Sequence, residues 1–252
     1  MASGKKRLDA TLVERGLFQT IDQAARAIMA GQVYLKGQQI SKAGTPVAPD
    51  SDISLAVQEK YVGRGGFKLE AALDHFCIDP TGIVCVDIGA STGGFTDCLL
   101  QRGASLVHAV DVGHSQLHWR LHAGPRVRCR EGLNARFLQD GDRLPSPMLA
   151  VGDVSFISLT VILPGVFRIL PEGSEAVFLI KPQFEAPKGS VPPGGVVRDE
   201  SLRLACIEKI RNFVEQSGQT WLGYIQSPIT GRDGNIEYLA HIKRAGSSLP
   251  IT

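Results

Sequence analysis

No apolar run in this 252-residue chain approaches the ~20 residues that a bilayer-crossing helix needs, so no segment reads as a membrane span. The start, Met1-Ala2-Ser3-Gly4-Lys5-Lys6-Arg7, is basic but leads into no apolar stretch, which argues against a secretory signal. Cysteine is scarce. Cys77, Cys85, Cys98, Cys129 and Cys206 form no C-x-x-C pair and are odd in number, so neither a disulfide framework nor a zinc site is expected. Reduced thiols and a cytoplasmic location follow, with no metal and no membrane partner. A dominant charge of one sign is also missing: the net charge is only +2.

That small excess is unevenly spread. Residues 1–45 carry seven basic groups (Lys5, Lys6, Arg7, Arg15, Arg26, Lys36 and Lys42) against Asp9, Glu14 and Asp22. A basic head on a slightly acidic body suits a polyanion-binding module joined to something else. In the head, 7–16 reads as a short helix started by Asp9 or Thr11 and stopped by Gly16. A second helix spans 20–30, with Thr20 as N-cap and Ile21, Ala24, Ala25 and Ile28 as its apolar face. Short strands follow at Val33-Tyr34-Leu35, before a turn at Lys36-Gly37, and at 53–57. Two helices leading into Gly31-Gln32-Val33-Tyr34-Leu35-Lys36-Gly37 resemble the small RNA-binding domain named after a small-subunit ribosomal protein (S-four-like). The α+β RNA-binding domain is placed at 5–57. Its candidate RNA contacts are Lys6, Arg7, Arg15, Arg26 and Lys36, with Arg64 beyond it, because cations on one face neutralise phosphates. Residues 58–66, with three glycines and no period, read as a linker.

From 67 to 246 the pattern alternates between helices and apolar strands. Helices are expected at 67–76, 94–102 and about 199–216. Strands are expected at 83–88, 106–111, 127–130, 148–153, 176–181, 220–226 and 236–243, the last two as an antiparallel hairpin. This order implies an α/β domain: a seven-stranded, mostly parallel, Rossmann-like sheet with helices on both faces. Trp119 and Phe156 are read as core or pocket wall, and the Gly/Pro-rich stretch 188–195 as a lid.

Asp87-Ile88-Gly89-Ala90-Ser91-Thr92-Gly93-Gly94-Phe95 leaves a strand and enters a helix, the place where such folds hold a nucleotide-like ligand. The next strand ends at Asp111-Val112, where a carboxylate can accept both hydroxyls of an adenosine ribose. Against the dinucleotide pattern G-x-G-x-x-G, Ser91 stands where the second glycine belongs. That glycine lets backbone approach a pyrophosphate, which S-adenosylmethionine lacks, so the departure favours the sulfonium cofactor. Asp153 would also lie beside it.

Four charged residues stand at element ends facing the expected crevice: Lys68, Asp153, Lys181 and Glu237. Their surroundings complete a wider resemblance, carried by six separated motifs: Tyr61–Leu69, Asp87–Thr96, Asp111-Val112-Gly113 with Gln116-Leu117, Asp153–Leu159, Lys181–Glu185 and Gly234–Tyr238. In order and over nearly the whole chain, these resemble the TlyA family, bacterial proteins labelled hemolysins that are similar to FtsJ-type ribosomal RNA 2′-O-methyltransferases. The resemblance implies a class I methyltransferase domain, S-adenosylmethionine as cofactor, a cytidine ribose of ribosomal RNA in a ribosomal subunit as target, and a catalytic tetrad Lys68, Asp153, Lys181 and Glu237. Lys181 is the expected base, Lys68 a second cation for the target, Asp153 the group that orients Lys181, and Glu237 a partner of the 2′-hydroxyl or of Lys68. A lysine serves as base only when it is unprotonated; a neighbouring cation and burial favour that form, while the two carboxylates favour the charged one.

Four rivals are weaker. Adenine amino-methylation uses an Asn/Asp-Pro-Pro-aromatic run where this chain has Asp153-Val154-Ser155-Phe156, and cytosine carbon-5 methylation needs a cysteine near the cofactor. A non-catalytic RNA-binding or ribosome assembly factor would not need the tetrad. Direct membrane lysis would call for an apolar or cationic amphipathic segment that is not seen.

Overall fold

The computed structural model describes residues 4–56, 60–138 and 146–246, and the chain divides into two compact units, Met1–Glu59 and Lys60–Thr252. In the first unit, β1 (Lys6–Arg7) leads into α1 (Leu8–Glu14) and α2 (Ile21–Met29). Four short strands follow: β2 (Val33–Leu35), β3 (Gln38–Gln39), β4 (Pro46–Val47) and β5 (Ile53–Leu55). β1 pairs with β4, and β3-β2-β5 form an antiparallel sheet. Leu8, Leu12, Ala24, Ala27, Ile28, Val33 and Val47 close a small core. Thr20 caps α2, its side chain accepting from the Gln23 amide. Lys36 and Gly37 both take positive φ (50° and 77°), the geometry of a tight two-residue hairpin turn.

Three details differ from expectation. Ile21 is 53% exposed, and Ala27 takes its place on the buried face of α2. Neither Asp9 nor Thr11 starts α1: Arg7 holds the cap position, the Asp9 carboxylate accepts from the Arg7 guanidinium at 2.6 Å, and Thr11 donates back to the Arg7 carbonyl. The last strand ends at Leu55, and Val57 lies outside the described residues.

The second unit opens with α3 (Gly65–Phe76), β6 (Val84–Ile88), α4 (Gly94–Gln101), β7 (Leu106–Asp111), α5 (Trp119–His122) and β8 (Val127–Glu131). A 3₁₀ turn (Ala135–Phe137) precedes β9 (Leu149–Gly152), α6 (Leu159–Ile169) and β10 (Glu175–Ile180). α7 (Pro182–Glu185), α8 (Glu200–Gln216), β11 (Thr220–Gln226) and β12 (Tyr238–Lys243) complete it. The seven strands lie in the order β11-β12-β10-β9-β6-β7-β8. β12 runs antiparallel to both its neighbours, and the pairs from β10 to β8 are parallel.

Period-two alternation sends successive side chains to opposite faces. Val86, Ile88, Phe178 and Ile180 pack with α6 and α8 residues such as Leu163, Val166 and Ile210. Cys85, Val177 and Leu179 pack with Leu69, Leu73 and Leu99 of α3 and α4. β6 is followed by β7 on one side and has β9 on the other, so a crevice opens at the carboxyl ends of these strands.

In this unit the connector expected at 58–66 is not free, and one helix was not anticipated. Residues 60–66 are not a free connector: Tyr61 is 2% exposed and meets Phe67 edge-on at 5.3 Å. (Residues 58 and 59 lie outside the described residues.) The glycines that suggested flexibility instead permit contact, since a Cβ on Gly66 would meet the Tyr61 ring at 2.2 Å and one on Gly94 the Gly66 amide nitrogen at 2.9 Å. α6 carries Pro164 inside it, and Pro164-Gly165 hid this helix because the pair reads as a breaker.

Candidate active site

The turn from β6 into α4 is built by backbone that other residues adopt only with strain. Gly89, Ser91 and Gly93 have φ of 77°, 49° and 98°, and a Cβ on Gly89 would stand 3.0 Å from the Asp153 carbonyl oxygen. At the end of β7 the Asp111 carboxylate accepts from the Ser91 amide at 2.8 Å and the Gly113 amide at 2.7 Å. Each oxygen keeps a lone pair for a ribose hydroxyl. A cavity of about 560 Å³ opens there, lined by Gly89, Ser91 and Asp111, and walled by apolar Val112, Leu133, Val154 and Ile157. Small-molecule sites span roughly 300–1,000 Å³. A second hollow, of about 210 Å³, runs from Gly65, Asp87, Ala90, Thr92, Gly94 and Phe95 to Lys181.

Asp87 lies at the floor of that hollow, fully buried. One carboxylate oxygen accepts from Thr96 Oγ1 at 2.7 Å, while the other has no protein partner. Burial pushes its carboxyl up to about 7, against the opposing effect of the Thr96 hydrogen bonds. These features fit an adenosine with a charged, amine-bearing tail: an apolar slot, a carboxylate able to accept from two hydroxyls, a glycine cradle and an unsatisfied buried acceptor. Ala90 and Phe95 are buried here, whereas Val112 is largely exposed at the mouth.

The four charged residues converge beside the same turn. Lys68, in the first turns of α3, directs Nζ to Glu237 Oε2 at 2.6 Å and to Asp153 Oδ2 at 3.4 Å. Lys181, just past β10, lies 2.5 Å from Asp153 Oδ1 and donates to Ser155 Oγ at 2.8 Å. Asp153 therefore bridges the two amines. Lys68, Lys181 and Glu237 are buried. Removing ammonium and carboxylate groups from water is costly unless they are paired, and the alternation of charge meets that need. Glu237 precedes β12 rather than beginning it. Its place is fixed by the Ser227 amide donating to its carbonyl, and by Gly231, where a Cβ would strike Oε1 at 2.5 Å.

Several residues that sequence reasoning did not single out support this centre. Ser155 holds Lys181, and Thr96 holds Asp87. Buried Asn235 accepts from the Val197 amide and donates to the Gly195 carbonyl, both at 2.9 Å, so it ties the end of the Gly/Pro-rich stretch next to Glu237. Glu185 is 2% exposed and accepts from Ser158 Oγ, the Leu159 amide and Lys209 Nζ. Trp119, expected as core or wall, is 70% exposed; Phe156 borders the cavity but is 89% exposed. Of the RNA-contact candidates, Lys6, Arg7, Arg15, Arg26, Lys36 and Arg64 are all exposed. Lys6 is paired with Glu14, Arg7 with Asp9, and Arg15 donates to the Pro49 and Ser51 carbonyls. Among the described residues no group of histidine, cysteine and carboxylate side chains could hold a metal ion, and no helix is long and apolar enough to cross a membrane.

A mostly parallel sheet with this glycine turn, an acid at the end of the neighbouring strand and this cavity is the arrangement of an S-adenosylmethionine-dependent methyltransferase. Residues 61–244 match the FtsJ-like methyltransferase family and residues 6–53 the S4 domain. The chain is 41% identical to the 16S/23S rRNA (cytidine-2′-O)-methyltransferase TlyA of Mycobacterium tuberculosis over 95% of its length and 90% of that protein's. It is 41% identical to hemolysin A of Brachyspira hyodysenteriae over 93% of its length and 98% of that protein's. A solved structure described as a hemolysin from Streptococcus thermophilus superposes with a TM-score of 0.74 at 42% identity, covering 98% of this chain and 90% of that one. The chain belongs to the FtsJ-like methyltransferase family, among the TlyA proteins.

Proposed function

We propose that this protein transfers a methyl group from S-adenosylmethionine to the 2′-hydroxyl of a cytidine ribose in ribosomal RNA, acting on ribosomal subunits in the cytoplasm. The observation that carries the reading is the alternating chain Glu237–Lys68–Asp153–Lys181 beside the glycine turn, with Lys68 2.6 Å from Glu237 and Lys181 2.5 Å from Asp153. S-adenosylmethionine, when bound, supplies a methyl group activated by a sulfonium. The protein's task is to strip and aim a sugar alcohol, which is a poor nucleophile until it loses its proton.

Lys181 Nζ, in its unprotonated form, takes that proton. Asp153 and Ser155 fix the amine in place, so its direction is set before the substrate arrives. Asp153 also stabilises the ammonium that results. Lys68, held between Glu237 and Asp153, faces the developing alkoxide; Glu237 anchors it. Asp87, Gly89, Ala90, Ser91, Thr92, Gly93, Gly94, Phe95, Asp111 and Val112 form the cofactor side of the cleft.

Lys6, Arg7, Arg15, Arg26 and Lys36 of the first unit, placed at 5–57, supply phosphate contacts, and Arg64 does so at the edge of the second. The reading of base methylation loses ground because no proline follows Asp153 and no cysteine lines either hollow. The deciding experiment is transfer of a labelled methyl group to unmodified ribosomal subunits, followed by nucleoside mapping. Lys181→Ala should lower kcat by about 10²–10⁴-fold while calorimetry finds cofactor affinity nearly unchanged. Undiminished turnover in that variant would remove Lys181 from the chemistry.

A further inference from the structure

Three of the most exposed aromatic side chains in the second unit stand on one edge of the sheet. Trp119 (70% exposed), Phe137 (65%) and Phe156 (89%) follow the carboxyl ends of β7, β8 and β9, the edge that holds the cofactor cavity. Folding gains little from leaving such rings in water, and the backbone beneath two of them is firmly anchored. The Trp119 loop is held by the His118 amide donating to the Thr92 carbonyl, and by Leu117 and Leu121, which cover Gly93 of the glycine turn. Phe137 sits on the 3₁₀ turn capped by Asn134, whose side chain accepts from the Arg136 amide at 3.0 Å. Gln116, Asn134 and Ala135, from these same two loops, line the cavity.

Trp119 and Phe137 each carry a cation. The Arg120 guanidinium lies 5.5 Å from the Trp119 ring centre, and that of Arg136 lies 5.6 Å from Phe137. His118 stacks on Trp119 at 5.7 Å with 29° between the planes. Residues 112–138 contain five arginines and a single acid, Glu131. Its carboxylate is engaged by the Ser115 amide at 2.7 Å. The first unit is therefore not the sole basic part of the chain. Aromatic faces joined to guanidinium groups are the combination that unpaired nucleotides favour: bases stack on the rings while arginine meets the backbone phosphates.

We infer that Trp119 with Arg120, and Phe137 with Arg136, form a stacking rim at the mouth of the cofactor cavity that grips unpaired nucleotides flanking the target ribose. The inference rests on the reading of the chain as an RNA methyltransferase and adds where, on the catalytic unit, the RNA strand is held. The rim touches RNA and not the reacting atoms, so it acts on substrate affinity rather than on the chemical step. A stacking partner tolerates any base, so the rim supplies grip without choosing the nucleotide.

The test compares wild-type protein with Trp119→Ala, Trp119→Phe and Phe137→Ala. With unmodified ribosomal subunits, each alanine variant should raise KM about tenfold or more, as expected for one lost base–aromatic stack. Saturating kcat and calorimetric affinity for S-adenosylmethionine should stay unchanged, and Trp119→Phe should recover most of the loss. The chain has two tryptophans, so in a Trp221→Phe background the emission reports Trp119 alone. Polycytidylate, added until filter binding shows saturation, should quench it. Unchanged KM in both alanine variants, or emission unmoved at saturation, would overturn the rim and leave the exposed rings to a protein partner or a second copy of the chain. Failure of the wild-type enzyme to methylate the subunits would instead strike the underlying reading, and the emission titration would still decide whether Trp119 meets RNA.

Discussion

His108 sits in the middle of β7, 1% exposed, and neither ring nitrogen has a protein partner. Burial, helped by the nearby Arg130 and Arg128 charges, pushes its imidazole down to about 4 from 6.5. Its folded value lies below its unfolded value, so the unfolded chain takes up the proton more readily. Its contribution is intact above about pH 6.5 and is lost as pH falls towards 4. Asp87 works in the opposite sense: with a folded value of about 7 against 3.8, it favours the folded state as pH falls through the same window. The two therefore offset each other in the wild-type protein. Replacing His108 by Phe should leave the Asp87 trend exposed. The difference in Tm between pH 4.5 and pH 7 should shift towards greater acid stability than in the parent protein. Identical pH profiles for the two would mean that His108 does not carry the effect.

At the scale of elements, Lys181 and the loop that faces it belong to different segments, and the Glu185 carboxylate adds a further link between those segments. Glu185 ends α7, which begins right after Lys181, and it accepts from Ser158 Oγ at 2.6 Å and from the Leu159 amide at 2.7 Å at the start of α6. Lys209 of α8 closes the cluster at 2.9 Å. A carboxylate at a helix start satisfies free amides and complements the helix dipole. The same contact fixes the 153–158 loop, with Asp153 and Ser155, against the strand end that bears Lys181. Glu185→Gln keeps the shape but weakens the charge-assisted bonds. It should cost about 1–3 kcal/mol of stability, seen as a lower Tm in calorimetry. Lower kcat with unchanged cofactor affinity should accompany it, and unaltered Tm and kcat together would show that the clamp is dispensable.

At the scale of the whole molecule, the excess of positive charge lies in the first unit, where residues 1–45 hold seven basic groups against three acids. Arg26 and Lys36 are exposed, and among the described residues neither pairs with a carboxylate, whereas Lys6 and Arg7 are already paired. The double variant Arg26→Ala/Lys36→Ala should raise KM for subunits and leave kcat intact. The slope of log affinity against log salt should flatten by about one for each phosphate contact removed. A slope that stays the same would remove these two side chains from the RNA interface.

Much of this protein was legible in its residues. Asp87–Phe95 announced a ligand turn because only glycine-rich backbone can bend a strand into a helix so closely, and the alternation of strands with helices was legible from hydropathy and spacing. The tetrad was legible as residue types at element ends. What the linear pattern could not supply was contact. Gly63, Gly65 and Gly66 look like a flexible joint in sequence, yet they are the contact between α3 and α4, because a missing side chain means freedom in an isolated chain and close approach in a packed one. Trp119 looks like core by hydropathy, but burial depends on which loop carries a ring and what lies above it. The bonds Lys68–Glu237 and Lys181–Asp153 join residues 169 and 28 positions apart, and no local rule sets such a distance. Sequence determined which groups the cleft would hold; the crossing of strands at the sheet's centre decided which amine faces which carboxylate.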